Sequence, residues 1–229
     1  MRLILTFVML LLPACAAAQE APAPVLKTEK DKLSYAMGMD LGNQLKIRSV
    51  EVDPAIFARA LTDALSGGKT LLTAEEAKAI ITELQKAMMA KQAAEAKVAG
   101  EKNKAEGDAF LAANKAKAGV ITLPSGLQYK VLTTGTGSKP TLDSTVVCHY
   151  RGTLIDGKEF DSSYSRKEPA TFPVKGVIKG WTEILQIMPA GSKWQVVIPP
   201  ALAYGDRGSG PVIGPNATLI FEIELVAIK

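Results

Sequence analysis

Between Asp31 and Gly119 the chain holds one proline, Pro54, and its apolar residues recur at helical spacing. After Gly119 the spacing changes to the alternation of β-strands. A chain patterned this way folds into a helical part followed by a sheet, not into alternating βα units. In the first helix Leu33, Met37, Leu41 and Leu45 recur every four residues along one face. Gly38 and Gly42 add a small-residue spacing that lets another backbone approach closely. Flexibility or packing within the chain would also use these glycines, but Met37 and Met39 beside them favour a subunit contact.

A second helix has Asp53 as cap, Pro54 in its first turn and Phe57, Ala60, Leu61, Ala64 and Leu65 as its apolar face; Gly67-Gly68 ends it. Thr73 and Glu76 have the spacing of a capping box for a third helix, which runs to about Lys117 and would span roughly 65 Å at ~1.5 Å per residue. Ile80, Ile81, Leu84, Ala87 and Met88 give its first turns an apolar face. Residues 90–108 are polar all round, as in a helix that bridges two bodies through solvent, with Gly100 and Gly107 as soft points. A charged disordered linker is the competing reading.

The β part begins with alternation over Leu127–Leu132 and Thr145–Leu154, and Asp156-Gly157 is a hairpin turn into Lys158–Asp161. Thr171–Val174, Lys193–Ile198 and Thr218–Ile228 read as further strands, with a short helix near Trp181–Ile187. The fold class is therefore α+β: an N-terminal all-helical part, a long connecting helix, and a C-terminal antiparallel sheet wrapped on a short helix. Residues 1–18 read as a signal peptide, with Arg2, an apolar run Leu3–Leu12 and small residues to Ala18. The remaining boundaries fall at 19–72, 73–118 and 119–229.

Two readings of the signal end stay open. Cleavage after Ala18 is favoured; Leu12-Pro13-Ala14-Cys15 also resembles a lipoprotein box, in which Cys15 would be acylated and tie the protein to a membrane. Either way the mature chain is exported with only Cys148 free, so no intrachain disulfide supports it. Losing the signal removes one of 27 basic residues and none of 23 acidic ones, leaving +3. That charge is too small, and too mixed with acids, to argue for nucleic acid.

The usual catalytic constellations lack support. The one histidine, His149, sits between Cys148 and Tyr150 in a strand, as a hydrogen-bonded structural residue would. Cys148 reads as a small strand hydrophobe, and no glycine-rich loop opens a helix for phosphate. Neither a metal nor a cofactor is expected. What remains is Asp161 among Tyr150, Phe160, Val177, Ile178, Trp181, Tyr204, Ile213 and Phe221. An apolar pocket with one acid suits a reaction that needs shape and desolvation rather than a nucleophile.

Val147-Cys-His-Tyr-Arg-Gly152, Phe160-Asp-Ser-Ser163, Val177-Ile-Lys-Gly-Trp181, Pro189-Ala-Gly191, Ala203-Tyr-Gly205 and Ala217-Thr-Leu-Ile-Phe221 resemble, in order and spacing, the FKBP-type prolyl isomerases over about residues 120–229. The preceding Asp31-Lys-Leu-Ser-Tyr35 and Leu123-Pro-Ser-Gly-Leu-Gln-Tyr129 resemble the macrophage infectivity potentiator subfamily. The resemblance implies isomerisation of X-Pro bonds, with Trp181 as pocket floor and Tyr150, Phe160, Val177, Ile178 and Phe221 as walls. Asp161 would point a carboxylate at the bound peptide, with Arg166 as its candidate partner. Tyr204 and the Ile178 N–H would bind carbonyls. Ala170 stands where many members carry another pocket aromatic, which would open that wall, and loop 205–217, including Ile213, would overhang the pocket and be mobile.

The resemblance further implies macrolide inhibitors such as rapamycin and a homodimer through the N-terminal helices. It places the protein in the periplasm or at the outer membrane or cell surface of a Gram-negative bacterium. A client-holding chaperone, or a surface virulence factor with secondary turnover, is the alternative.

Overall fold

The computed structural model describes residues 25–229. The signal segment, Cys15 and the spacer Ala21–Pro24 lie outside the described residues. The described residues divide into two compact units, one up to Thr73 and one from Ala74 onward.

In the first unit, α1 (Glu29–Ile47) opens on a capping box formed by Thr28 and Asp31. The Thr28 hydroxyl accepts from the Asp31 N–H at 3.1 Å, and the Asp31 carboxylate accepts from the Thr28 N–H at 2.9 Å. Helix α2 (Pro54–Leu65) is capped by Asp53, whose carboxylate accepts from the N–H groups of Ala55 and Ile56. Neither helix buries a single residue. The stripe of α1 stays open, with Leu33 62% and Met37 65% exposed.

The second unit starts with α3 (Ala74–Lys115), 42 residues or ~63 Å long. The apolar face of its first turns is exposed, with Ile80 at 56% and Ile81 at 52%, and the expectation that residues 90–108 run through solvent fails at their C-terminal end. Gly100, Gly107 and Asn114 are buried, and Asn103 is half-buried. These positions follow one another at steps of three, four and seven residues, on one helix face, and form a seam packed on the sheet. The seam was missed because it is built from small and amide side chains, which carry no hydrophobic signal. Glycine here allows close contact: a Cβ on Gly107 would lie 2.4 Å from the Thr218 hydroxyl oxygen. Asn114 donates to the Gln128 side chain at 2.9 Å, and Gln128 donates to the Leu111 carbonyl.

Seven antiparallel strands follow: β1 (Val120–Thr122), β2 (Gln128–Thr133), β3 (Thr145–Leu154), β4 (Glu159–Ser162), β5 (Ala170–Pro173), β6 (Lys193–Ile198) and β7 (Leu219–Ile228). Their order is β1-β2-β6-β7-β3-β4, and β5 pairs with β3. Strand β1 was not anticipated; at three residues it carries no usable alternation. In β7 the expected alternation holds, with Leu219, Phe221, Ile223 and Leu225 buried. The short helix α4 (Lys179–Leu185) lays Trp181, Ile184 and Leu185 into the same core as Val146, Tyr150, Val196 and Ile198. Each fully buried aliphatic there contributes roughly 1.5–3 kcal/mol. Gly180 lets the helix approach β6, since a Cβ there would lie 2.5 Å from an Ile198 methyl.

Candidate active site

The register of β3 against β7 creates the site. Gly152 stands opposite Phe221, and the missing side chain is where the Phe160 ring enters; a Cβ on Gly152 would sit 2.6 Å from that ring and 2.8 Å from Phe221. Phe160 thus packs against Phe221 with centroids 5.5 Å apart and planes at 83°. Trp181, only 4% exposed, stands nearly perpendicular to three rings: Tyr150 at 5.3 Å, Phe221 at 5.4 Å and Phe172 at 5.7 Å. Edge-to-face contacts of this kind hold rings in fixed orientations.

These rings floor and wall a cavity of about 700 Å³. All nine residues singled out from the sequence line it: Tyr150 from β3, Phe160 and Asp161 from β4, Val177 and Ile178 before α4, Trp181 in α4, Tyr204, Ile213 and Phe221. Phe172, Ser209, Pro211 and Val212 line it as well. Phe172 corrects the expectation of an open wall at Ala170. Residues two apart in a strand share a face, so Phe172 on β5 presents an aromatic ring on the same side as Ala170. The alternation of β5 held that signal.

The polar groups of the cavity form a closed triangle. The Tyr150 hydroxyl donates to Asp161 Oδ2 at 2.5 Å, Arg166 Nη1 donates to Asp161 Oδ1 at 2.6 Å, and Arg166 Nη2 donates to the Tyr150 oxygen at 2.7 Å. Burial pushes the Asp161 carboxyl up, but the hydrogen bonds from Tyr150 and Arg166 and the guanidinium charge outweigh it and leave it below the usual carboxylate range. Burial, then the bond to Asp161, raises the Tyr150 phenol. The hydrogen bonds to Asp161 and Tyr150 raise Arg166, which stays charged. The carboxylate is therefore ionised, oriented and half-neutralised before any ligand arrives.

Ser163 fixes the backbone behind this triangle: its hydroxyl accepts from the Tyr150 N–H at 2.8 Å and donates to the Tyr150 carbonyl. His149 Nδ1 lies 3.1 Å from the same hydroxyl, and its ring stacks on Tyr164 at 5.0 Å, as a structural histidine should. Burial pushes the Cys148 thiol up to about 12, so it is no nucleophile at neutral pH. Among the described residues, the Tyr204 hydroxyl and the Ile178 N–H have no hydrogen-bond partner. Both are free donors at an apolar cavity.

The loop 205–217 carries backbone hydrogen bonds of its own. Ser209 and Ile213 exchange two backbone hydrogen bonds at 2.7 and 3.2 Å, and the Asn216 N–H donates to the Gly205 carbonyl at 2.8 Å. Ile213 is carried into the core at 8% exposure.

Comparison with known proteins agrees with this geometry. Residues 136–226 match the family described as FKBP-type peptidyl-prolyl cis-trans isomerase, and residues 30–131 match the domain amino-terminal to it. The outer membrane protein MIP of Legionella longbeachae is 49% identical over all of this chain and 98% of its own. The peptidyl-prolyl cis-trans isomerase Mip of Coxiella burnetii is 46% identical over the same shares. The crystal structure of FkpA from Escherichia coli superposes with a TM-score of 0.66 at 37% identity, covering 90% of this chain and 99% of that one. The chain belongs to the FKBP-type peptidyl-prolyl cis-trans isomerases, alongside the macrophage infectivity potentiator proteins, and its activity is the isomerisation of X-Pro bonds.

Proposed function

We propose that the cavity floored by Trp181 is where the X-Pro bond turns. The observation that carries the reading is the meeting of five aromatic walls, one pre-oriented carboxylate and two free donors in one cavity. Rotation about the imide breaks no covalent bond, but it must overcome ~18–20 kcal/mol of lost amide resonance. The proline ring enters the apolar walls, and the imide leaves water. Water favours the planar, charge-separated resonance form, so desolvation raises the ground state relative to the twisted one. Tyr204 and the Ile178 N–H hold the carbonyls that flank the rotating bond. Asp161 acts chiefly through the triangle, holding Tyr150 and Arg166 in place, because Arg166 already offsets its charge.

Replacing Asp161, Tyr204 or Trp181 in the intact protein and following isomerisation of a prolyl peptide tests the assignment. Each change should lower kcat/KM; full activity after loss of all three would discard the site. Rapamycin should compete for the same cavity.

The helical unit is read as the dimer interface. The apolar faces of α1 and α2 flank a cleft lined by Met37, Leu41, Leu45, Phe57, Leu61 and Leu65, and neither helix has a core of its own. A second chain supplying the same faces would bury them. The mature protein acts in the periplasm or at the cell surface. A client-holding role beside catalysis is favoured by the exposed Ile80, Ile81 and Met89 on α3. Aggregation suppression that persists in a variant without isomerase activity would support it.

A further inference from the structure

Loop 205–217 contributes Ser209, Pro211, Val212 and Ile213 to the cavity read as the X-Pro site. On its far side lies a second cavity of about 200 Å³, bordered by Asn103, Glu106, Leu154, Val212, Gly214 and Thr218. Val212 borders both spaces. The loop wall therefore has room behind it, and packing alone does not fix its distance from the bound peptide.

What holds it comes from the long helix. Asn103 Nδ2 donates to the Pro215 carbonyl at 2.8 Å, and Asn216 Nδ2 lies 3.4 Å from the Gly100 carbonyl. The contact has little slack. A Cβ on Gly100 would be 3.2 Å from Pro215, and one on Gly214 would be 2.9 Å from Asn103 Nδ2. The donor stands on the seam of α3, more than a hundred residues from the loop in sequence.

We propose that Asn103 is a positioning residue for the substrate pocket: through Pro215 it sets how far Val212 and Ile213 close on the peptide, and so selects the side chain accepted beside proline. This rests on the reading of the cavity as the X-Pro site. The bond acts on the wall and touches no reacting atom, so its loss weakens binding rather than turnover. It also acts selectively: the bond draws the loop back onto α3, and a wall released toward the peptide crowds a large side chain more than a small one.

The test uses the full-length protein with Asn103→Ala, Gly214→Ala and the double variant, assayed on peptides with leucine or alanine before proline. Loss of one half-buried hydrogen bond should raise KM for the leucyl peptide about fivefold while kcat stays within about twofold. The leucyl-to-alanyl preference should fall in both single variants. The double variant should be no worse than either single one, since the methyl of Gly214→Ala acts only by displacing Asn103. Unchanged KM and preference in both single variants overturn the proposal. Equal loss of kcat on every peptide together with a lower Tm also overturns it, because that pattern marks a structural contact alone. Wild-type protein that turns over neither peptide would instead overturn the site reading, and the proposal with it.

Discussion

Tyr150→Phe removes one oxygen and leaves the aromatic walls in place. The lost hydroxyl donates to Asp161 at 2.5 Å and accepts from Arg166 at 2.7 Å, so both remaining partners of the triangle are released at one corner. Asp161 and Arg166 have side chains 42% and 44% exposed, and water can replace the missing contacts. The stability loss should therefore be about 1 kcal/mol, or roughly 2–4 °C in Tm for a unit of this size. Catalysis loses more specific order: a carboxylate held at two corners becomes held at one, and kcat/KM should fall about fivefold.

The pH profile supplies a second readout with a definite sign. Asp161 lies below its ordinary pKa in the wild type, so its contribution is complete above the usual carboxylate value and fades only as pH falls through the lower folded one. Without the phenol donor that pKa climbs back toward the ordinary carboxylate range, and the acid limb of kcat/KM moves to higher pH. Protease-coupled isomerisation from pH 3.5 to 8, with thermal melts at each end, measures both effects. An unchanged kcat/KM with an unmoved acid limb would refute the claim that the triangle organises the site.

Gly152→Ala puts a methyl 2.6 Å from Phe160, which should cost about 1–3 kcal/mol and raise KM as that ring swings; thermal melts and peptide kinetics read the two effects. A truncation lacking residues 19–70 should sediment as a monomer yet keep activity on short peptides, and a monomeric full-length chain would sink the dimer assignment. Mass spectrometry of the mature N-terminus should find it at Gln19; an acylated Cys15 would place the protein on a membrane.

The parts of this chain legible in its sequence are those whose signal is local or alternating. The cap at Asp53 acts within three residues, and the burial of β7 follows period two. The pocket was legible for a different reason: its residues are large, aromatic and clustered in short motifs. The misreading of the long helix has one cause. Gly100, Asn103, Gly107 and Asn114 look like soft, polar helix surface because glycine and asparagine bury little apolar area, yet their partners, Thr218, Pro215 and Gln128, lie far along the chain. Pro215 and Asn216 of loop 205–217 likewise find their partners on α3 rather than beside them. Contacts made by small and amide groups leave no periodic trace, and here they join the longest helix to the wall of the pocket. A helix whose apolar residues are exposed but whose glycines are buried is therefore to be read from its small residues first.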